Sequence, residues 1–202
     1  MSPTTHYSLE DQELVKRLLS GDNAAFALLV KNTEGLVAQI VFKMVDRVED
    51  RRDLVQDVYL NAYKYIKNFK FQSKLSTWVG SIAYHACYNY LKKKKLLLPE
   101  KLSEDENEDV LETMANRFID YSSNEIMEHI FKKELRSALQ IGIYQLSPIY
   151  ATLIALYHYQ EMSYQEISEI TGLPEGTLKN YLFRARKKLK DYVLLNYKKE
   201  DL

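Results

Sequence analysis

Cysteine is almost absent from this sequence, and that absence limits the chemistry the chain can support. Cys87 is the only cysteine among 202 residues, so the chain can form no intramolecular disulfide and no cysteine-based zinc cluster. The four histidines are scattered along the chain without metal-ligand spacing. We therefore expect neither a metal site nor a cofactor.

Long apolar runs and the motifs of common catalytic sites are also missing. No apolar run approaches the ~20 residues that span a bilayer, and the polar segment 1–10 lacks the pattern of a secretory signal. We find no phosphate-binding glycine loop, no nucleophile elbow and no pair of metal ligands. These absences predict a cytoplasmic protein that does not insert into a membrane, has no catalytic residues and takes no small-molecule substrate.

Neither sign of charge is in excess, because 28 lysines and arginines balance 28 aspartates and glutamates. The balance conceals a segregation along the chain. Residues 1–98 carry a net +5, residues 99–129 carry −8 and residues 130–202 carry +3. Two basic segments around an acidic one are compatible with two DNA-binding modules and a connector that avoids phosphate.

Strand-like alternation is scarce, and so are helix breakers, with only 6 glycines and 4 prolines. Apolar residues recur instead at helical spacing, which predicts an all-α fold. Residues 1–95 are expected to form a first helical domain, in which Gly21 ends the first helix. The residues expected to cap its helices are Ser8, Asp22, Asp50 and Ser76.

An acidic stretch, residues 96–123, separates this domain from the rest of the chain. It contains Pro99 and a run of charged residues with too few apolar ones to pack, so we interpret it as a flexible linker. A second small helical domain is expected over residues 124–202. The predicted architecture is therefore two helical domains joined by an acidic linker.

The second domain carries a more specific signal near its end. Ser163 and Glu166 fit a capping box, Gly172 ends the helix that they begin, and a basic helix follows from about Pro174. A short helix, a glycine-containing turn and a second basic helix indicate a helix-turn-helix.

The last helix has one apolar and one polar face on a helical wheel. The apolar face, which we expect to be buried, comprises Leu178, Leu182, Ala185, Leu189 and Val193. The polar side carries candidate contacts to duplex DNA, namely Thr177, Lys179, Asn180, Phe183, Arg184 and Lys187. Arg186 lies closer to the core side, where it could reach a phosphate or brace a neighbouring helix. The alternative is a merely solvated basic helix end, against which the upstream capping box and turn argue.

A candidate protein interface lies on the third helix of the first domain. Leu60 stands there among acidic and amide side chains, and this acidic character makes DNA an unsuitable partner. An incidental exposed leucine is an equal alternative on this evidence. The candidate contact residues are Asp53, Gln56, Asp57 and Leu60.

The segment from Asn68 to Ser76, here called the 68–76 loop, mixes aromatic, amide and lysine side chains directly before a basic helix. Such chemistry suits unpaired DNA. The candidate contacts are Lys70, Gln72, Lys74, Ser76, Asn89, Lys92 and Lys93. At least one of Phe69 and Phe71 is expected in the core instead, and Trp78 is assigned to the core outright.

Taken together, these motifs resemble those of extracytoplasmic-function (ECF) sigma factors of the sigma-70 family, with region 2 in the first domain and region 4 in the second. A helix-turn-helix alone is a weak signal, but both regions in this order around an acidic linker are specific. The matching segments are Asp53–Tyr63, Phe71–Trp78, Ile82–Lys92, Leu146–Pro148, Met162–Gly172 and Gly176–Leu189.

The resemblance implies a protein that directs promoter-specific transcription initiation by RNA polymerase. It implies docking of the Asp53–Tyr63 helix on the clamp helices of the β′ subunit, with a further polymerase contact at the β flap. It also implies that the 68–76 loop captures a flipped base of the minus-ten element, that the fourth helix binds the melted strand and that the last helix binds the minus-thirty-five element. Control by an anti-sigma factor is a further implication.

Departures from the family pattern limit what can be carried over. Pro174 stands where a serine-type cap is common, and Asn180 with Tyr181 replaces a frequent Ser-Arg pair. The 68–76 loop lacks the usual glycine after its first basic residue. The promoter bases therefore cannot be copied from a relative.

Two other classes of protein fit parts of the sequence. A helix-turn-helix regulator, with a sensor or dimerisation domain as its first half, would bind DNA without polymerase. A helical adaptor would bind only a protein partner. The segment from Asp53 to Trp78 argues against the regulator.

Overall fold

A computed structural model describes residues 8–97 and 125–196. Within these two ranges all regular structure is helical and no strand is present, which confirms the all-α prediction. The predicted linker, residues 96–123, lies outside the described residues except for positions 96 and 97, which continue a helix.

The described part of the first half forms four helices and a short turn. These are α1 (Leu9–Leu19), α2 (Asn23–Met44), α3 (Val48–Tyr65), a 3₁₀ turn (Ile66–Asn68) and α4 (Leu75–Leu97). Ser8 caps α1 and Asp22 caps α2, each by accepting from backbone N–H groups of the first turn. Gly21 follows α1 with a φ of +80°. The predicted caps of α1 and α2 and the predicted end of α1 are therefore confirmed.

Two predicted helix starts are wrong. Helix α3 begins at Val48, so Asp50 lies in its first turn, where a carboxylate favours the helix N-terminus without capping it. Helix α4 begins at Leu75, and Ser76 lies inside its first turn. The backbone N–H of Leu75 donates to Oδ2 of Asp11 at 3.1 Å. A side chain from α1 thus satisfies the start of α4, a role that the local pattern assigned to serine.

Helix α2 lies at the centre of the first half, against α3 and α4. By length and composition alone it could cross a membrane, yet Leu29, Val37, Ile40 and Val41 are almost fully buried within the protein. Each such side chain stabilises the fold by roughly 1.5–3 kcal/mol. One apolar face of α2 is therefore part of the core, whereas Leu28 and Phe42 of the same helix are exposed.

The described part of the second half comprises α5 (Glu125–Tyr144), α6 (Pro148–Ile154), a π turn (Ala155–Tyr159), α7 (Tyr164–Thr171) and α8 (Glu175–Asn196). The capping box of Ser163 and Glu166 is present in both directions, and Gly172 adopts a left-handed φ of +72°. Helices α7 and α8 are the predicted helix-turn-helix.

Helix α8 buries the expected face. Leu178, Leu182 and Ala185 are fully buried, whereas Leu189 and Val193 are partly buried near the end of the helix. The backbone of α5 approaches this face closely at Gly142, where a Cβ atom would lie 2.6 Å from Leu189 Cδ1.

The two halves pack against each other, with α7 on α4 and α6 on α2. Gly80 of α4 permits this approach, since a Cβ atom there would lie 3.1 Å from Ile170 Cδ1 of α7. At the edge of the contact, Lys74 Nζ and Glu166 Oε1 form an ion pair of 2.7 Å. The Lys74–Glu166 pair therefore lies beside the apolar contact between the halves.

Candidate nucleic-acid and protein interfaces

The predicted duplex-binding residues all lie on α8. Lys179, Asn180 and Lys187 are exposed, Phe183 is 41% exposed, and Thr177 and Arg184 are partly buried. Among the described residues, no atom outside the adjacent turn of α8 lies within 4 Å of a Cβ atom built on Gly176. The start of α8 is therefore open enough for close approach of a DNA backbone.

Arg186 is held against the segment before the helix-turn-helix. Its Nε donates to Nε2 of His158 at 3.3 Å, and its Cζ lies 5.1 Å from the ring centroid of Tyr157. Partial burial and then the Arg186 charge hold the pKa of His158 below its usual value, which favours the neutral ring that accepts this bond. The bracing alternative for Arg186 is thus observed.

Two lysines of α8 also make cation-π contacts with aromatic rings. Lys179 Nζ lies 5.6 Å from the Tyr164 ring centroid, and Lys188 Nζ lies 5.7 Å from that of Tyr150. Sequence reasoning missed Tyr150, Tyr157 and Tyr164, because their role depends on the packing of α6, the π turn and α7 against α8. The abundance of tyrosine, 16 in all, is the only signal the sequence offered.

The 68–76 loop is anchored by aromatic packing. Phe69 is buried, and its ring centroid lies 4.8 Å from that of Phe71 and 5.4 Å from that of Trp78. Trp78 packs against the core, as expected, but is only partly buried and covers its edge beside the loop. Lys70 and Gln72 are exposed on this support.

Two other predicted contacts of the loop face the second half. Lys74 and Ser76 line a groove of about 540 Å³, together with Glu161 and Glu166. Burial disfavours the charged form of Glu166, but hydrogen bonds from Lys74 and Ser163 outweigh it and lower the pKa. In this arrangement Lys74 is engaged by a carboxylate of the helix-turn-helix.

The predicted residues of α4 lie towards its C-terminal end. Asn89, Lys92 and Lys93 are exposed. The hydroxyl of Tyr90 donates to Asp50 Oδ2 at 2.6 Å, which joins this part of α4 to α3 and raises the pKa of Tyr90 to about 12. The exposed lysines therefore lie on a part of α4 that is hydrogen-bonded to α3.

The predicted protein-binding residues share the exposed side of α3. Asp53, Gln56 and Asp57 are exposed, and Leu60 is 58% exposed. Sequence reasoning missed Tyr63, one turn further along, which is 48% exposed with its ring 5.5 Å from Phe26. An apolar pair beside acidic groups is a surface suited to another protein.

Metal ligands are not assembled in the ranges that the structure describes, where no group of three or more histidine, cysteine or acidic side chains could hold an ion. Cys87 is buried, and burial raises the pKa of its thiol to about 12. The thiol therefore stays protonated and unreactive at neutral pH.

Comparison with protein families matches the two halves separately. Residues 29–96 match sigma-70 region 2, and residues 143–189 match sigma-70 region 4. The ECF RNA polymerase sigma-E factor of Haemophilus influenzae is 34% identical over 188 residues, which cover 92% of this chain and 96% of that protein.

Two solved structures share the fold. CnrH, solved with the cytosolic domain of CnrY, has a TM-score of 0.59 and 20% identity, covering 92% of this chain and 98% of its own. The sigma factor RpoE of Bartonella quintana, solved with the anti-sigma factor NepR, has a TM-score of 0.55 and 24% identity, covering 84% of this chain and 96% of its own. Given both sigma regions in order and a relative aligned over nearly its full length, this chain belongs to the ECF RNA polymerase sigma factors.

Proposed function

We propose that this sigma factor binds core polymerase through α3, reads the minus-thirty-five element with α8 and captures melted minus-ten DNA with the 68–76 loop and α4. The observation that carries the proposal is the separation of chemistry between surfaces. An acidic and apolar surface lies on α3, whereas α4 and α8 display cations and amides. Each surface suits one partner and disfavours the other.

The polymerase contact is assigned to Asp53, Gln56, Asp57 and Leu60, with the β′ clamp helices as the partner. Leu60 supplies apolar area at the centre, and Tyr63 extends it by one turn. The second domain supplies a further contact to the β flap.

The promoter contacts are divided between duplex and melted DNA. On α8, Asn180 is placed to read a base edge, while Arg184 and Lys187 serve base or phosphate contact. In the first domain, Lys70 and Gln72 are exposed on either side of the partly buried Phe71, where they are placed to meet the backbone and base edges of unpaired DNA.

Catalysis is assigned to the polymerase, so the sigma factor contributes binding energy and no reacting group. Its place of action is the cytoplasm, where the polymerase works. An anti-sigma factor is the proposed regulator, since the RpoE structure that shares this fold contains one.

Run-off transcription tests the proposal. Core polymerase is supplied with fragmented genomic DNA of the source organism, with and without this protein. We expect discrete new starts that share paired upstream motifs. DNA binding without such starts would favour a helix-turn-helix regulator instead.

Two substitutions separate the surfaces. Leu60→Asp places a charge in the proposed apolar contact and should weaken polymerase binding at least tenfold, while the fold is spared because the side chain is exposed.

Arg184→Ala should weaken promoter binding by about 5- to 150-fold, as for one base contact of 1–3 kcal/mol, with polymerase affinity intact. Normal polymerase binding by Leu60→Asp would move the interface elsewhere, and normal transcription by Arg184→Ala would show that the recognition face is misplaced.

A further inference from the structure

Three aromatic side chains surround Arg186 and form a cluster, here called the Arg186 platform, made of Tyr157, His158 and Tyr164. The Tyr157 ring lies 4.9 Å from His158 and 5.1 Å from Tyr164, so the three rings form one unit. Arg186 contacts two of them directly, through the His158 hydrogen bond and the face of Tyr157, and Tyr164 packs against Tyr157. Lys179 lies over the Tyr164 ring.

The backbone beneath the platform departs from a regular helix. The N–H of Gln160 donates to the carbonyl of Ala155 at 3.1 Å, five residues earlier, as in a π turn. Glu161 then adopts a left-handed φ of +50°. Single π turns inside helical segments are frequent at functional sites, and a left-handed backbone in a non-glycine residue persists only where its surroundings enforce it.

We propose that the Arg186 platform is a positioning device, which holds the guanidinium of Arg186 in place for a phosphate of the minus-thirty-five duplex. Arginine has five N–H donors, and the bond from Nε to His158 leaves those of the two terminal nitrogens for other partners. Arg186 as a whole is exposed. A guanidinium already fixed in one plane loses less side-chain freedom when it binds.

This inference rests on the proposed function, because it requires α8 to bind duplex DNA. The platform residues themselves need not touch DNA, and their effect passes through Arg186. Because their effect on DNA binding passes through Arg186, it should disappear when Arg186 is replaced. A general contribution of these residues to the stability of the fold would persist.

A double-mutant cycle of His158 and Arg186 tests the inference. DNA binding by the full chain is measured by fluorescence anisotropy. The probe is a 30-base-pair duplex that carries the upstream motif found by run-off transcription. His158→Leu removes the acceptor and should weaken binding about 3- to 10-fold. His158→Gln keeps an acceptor of similar reach and should restore most of the affinity. In an Arg186→Gln background, His158→Leu should have no further effect.

The salt dependence supplies a second readout. Arg186→Gln should lower the slope of log affinity against log salt by about 0.9, the value for one phosphate contact. An unchanged slope would show that Arg186 only braces the fold, and would overturn the inference. An equal loss from His158→Leu in both backgrounds would overturn it as well.

Arg184→Ala distinguishes this failure from failure of the proposed function. If Arg184→Ala weakens duplex binding and His158→Leu does not, only the platform proposal fails. If no upstream motif emerges, or Arg184→Ala also binds normally, the assignment of α8 to the minus-thirty-five element fails first. Thermal unfolding by circular dichroism verifies that each variant is folded.

Discussion

Single residues in this protein act through backbone geometry as well as through side chains. Gly172 ends α7 in the left-handed region, at a φ of +72°, and thereby sets the turn between α7 and α8. Among the described residues beyond its chain neighbours, a Cβ atom built there would meet His85 Nε2 alone, at 4.0 Å. A Cβ atom would therefore fit at this position. Glycine is favoured because the left-handed backbone conformation is costly for a residue with a Cβ atom.

Gly172→Ala should destabilise the protein by about 1 kcal/mol, the cost of a left-handed conformation for a residue with a Cβ atom. For a chain of this size, that corresponds to a fall in Tm of roughly 2–4 °C. Differential scanning calorimetry measures the change.

Gly176→Ala is the matched control, because Gly176 lies in the first turn of α8 with open space around it. There alanine should stabilise the fold by about 0.4–1 kcal/mol. Equal effects of the two substitutions would contradict this account of the turn.

At the scale of elements, the helices of the first half depend on each other for their ends. Asp11 lies in the first turn of α1 and accepts from the N–H of Leu75, the first residue of α4. Unsatisfied N–H groups at a helix start need such an acceptor. Through this bond α1 also positions the end of the 68–76 loop.

Asp11→Ala should cost about 1 kcal/mol, as does loss of an ordinary N-cap acceptor. Urea unfolding gives the free-energy change, and hydrogen exchange at Leu75 should show faster local opening. Asp11→Asn retains an acceptor oxygen and should recover most of the loss. Identical hydrogen exchange in Asp11→Ala and the unsubstituted protein would rule out the proposed cap.

At the scale of the whole molecule, the helix-turn-helix packs on the element proposed to hold melted DNA. Lys74, a proposed DNA contact, is paired with Glu166 at 2.7 Å in this arrangement. A phosphate bound to Lys74 would compete with that carboxylate. Because the Lys74 side chain is 60% exposed, the pair contributes at most about 1 kcal/mol.

Glu166→Gln should therefore strengthen binding of a single-stranded oligonucleotide by about 2- to 5-fold at low salt. The glutamine can still serve the capping box with Ser163, so α7 should remain intact. The gain should shrink at high salt, where exposed charges are screened. Fluorescence anisotropy on a labelled oligonucleotide provides the measurement.

Glu169→Gln is the matched control, since it removes the same charge from the exposed side of α7, where Glu169 accepts from Gln165. An equal gain from Glu169→Gln would attribute the effect to net charge. No gain from Glu166→Gln would show that the Lys74 pair does not compete with DNA.

Properties that depend on neighbours along the chain were predictable from sequence. The caps at Ser8 and Asp22, the capping box at Ser163 and the stop at Gly172 involve residues within one turn of each other. The buried face of α8 follows from helical periodicity in the same way. Regions 2 and 4 were recognisable because their motifs are local too.

Other properties required the packed molecule. Asp11 and Leu75 are 64 residues apart, Arg186 and His158 are 28 apart, and Lys74 and Glu166 are 92 apart. No periodicity in sequence relates such pairs, because their contact depends on how whole helices pack. The sequence by itself thus determined the helices and the chemistry displayed on them, since hydrogen bonding and amphipathicity act over a few residues. Only the tertiary structure decided which of those polar groups meet, since burial of apolar faces brings remote helices together and leaves their polar edges in contact.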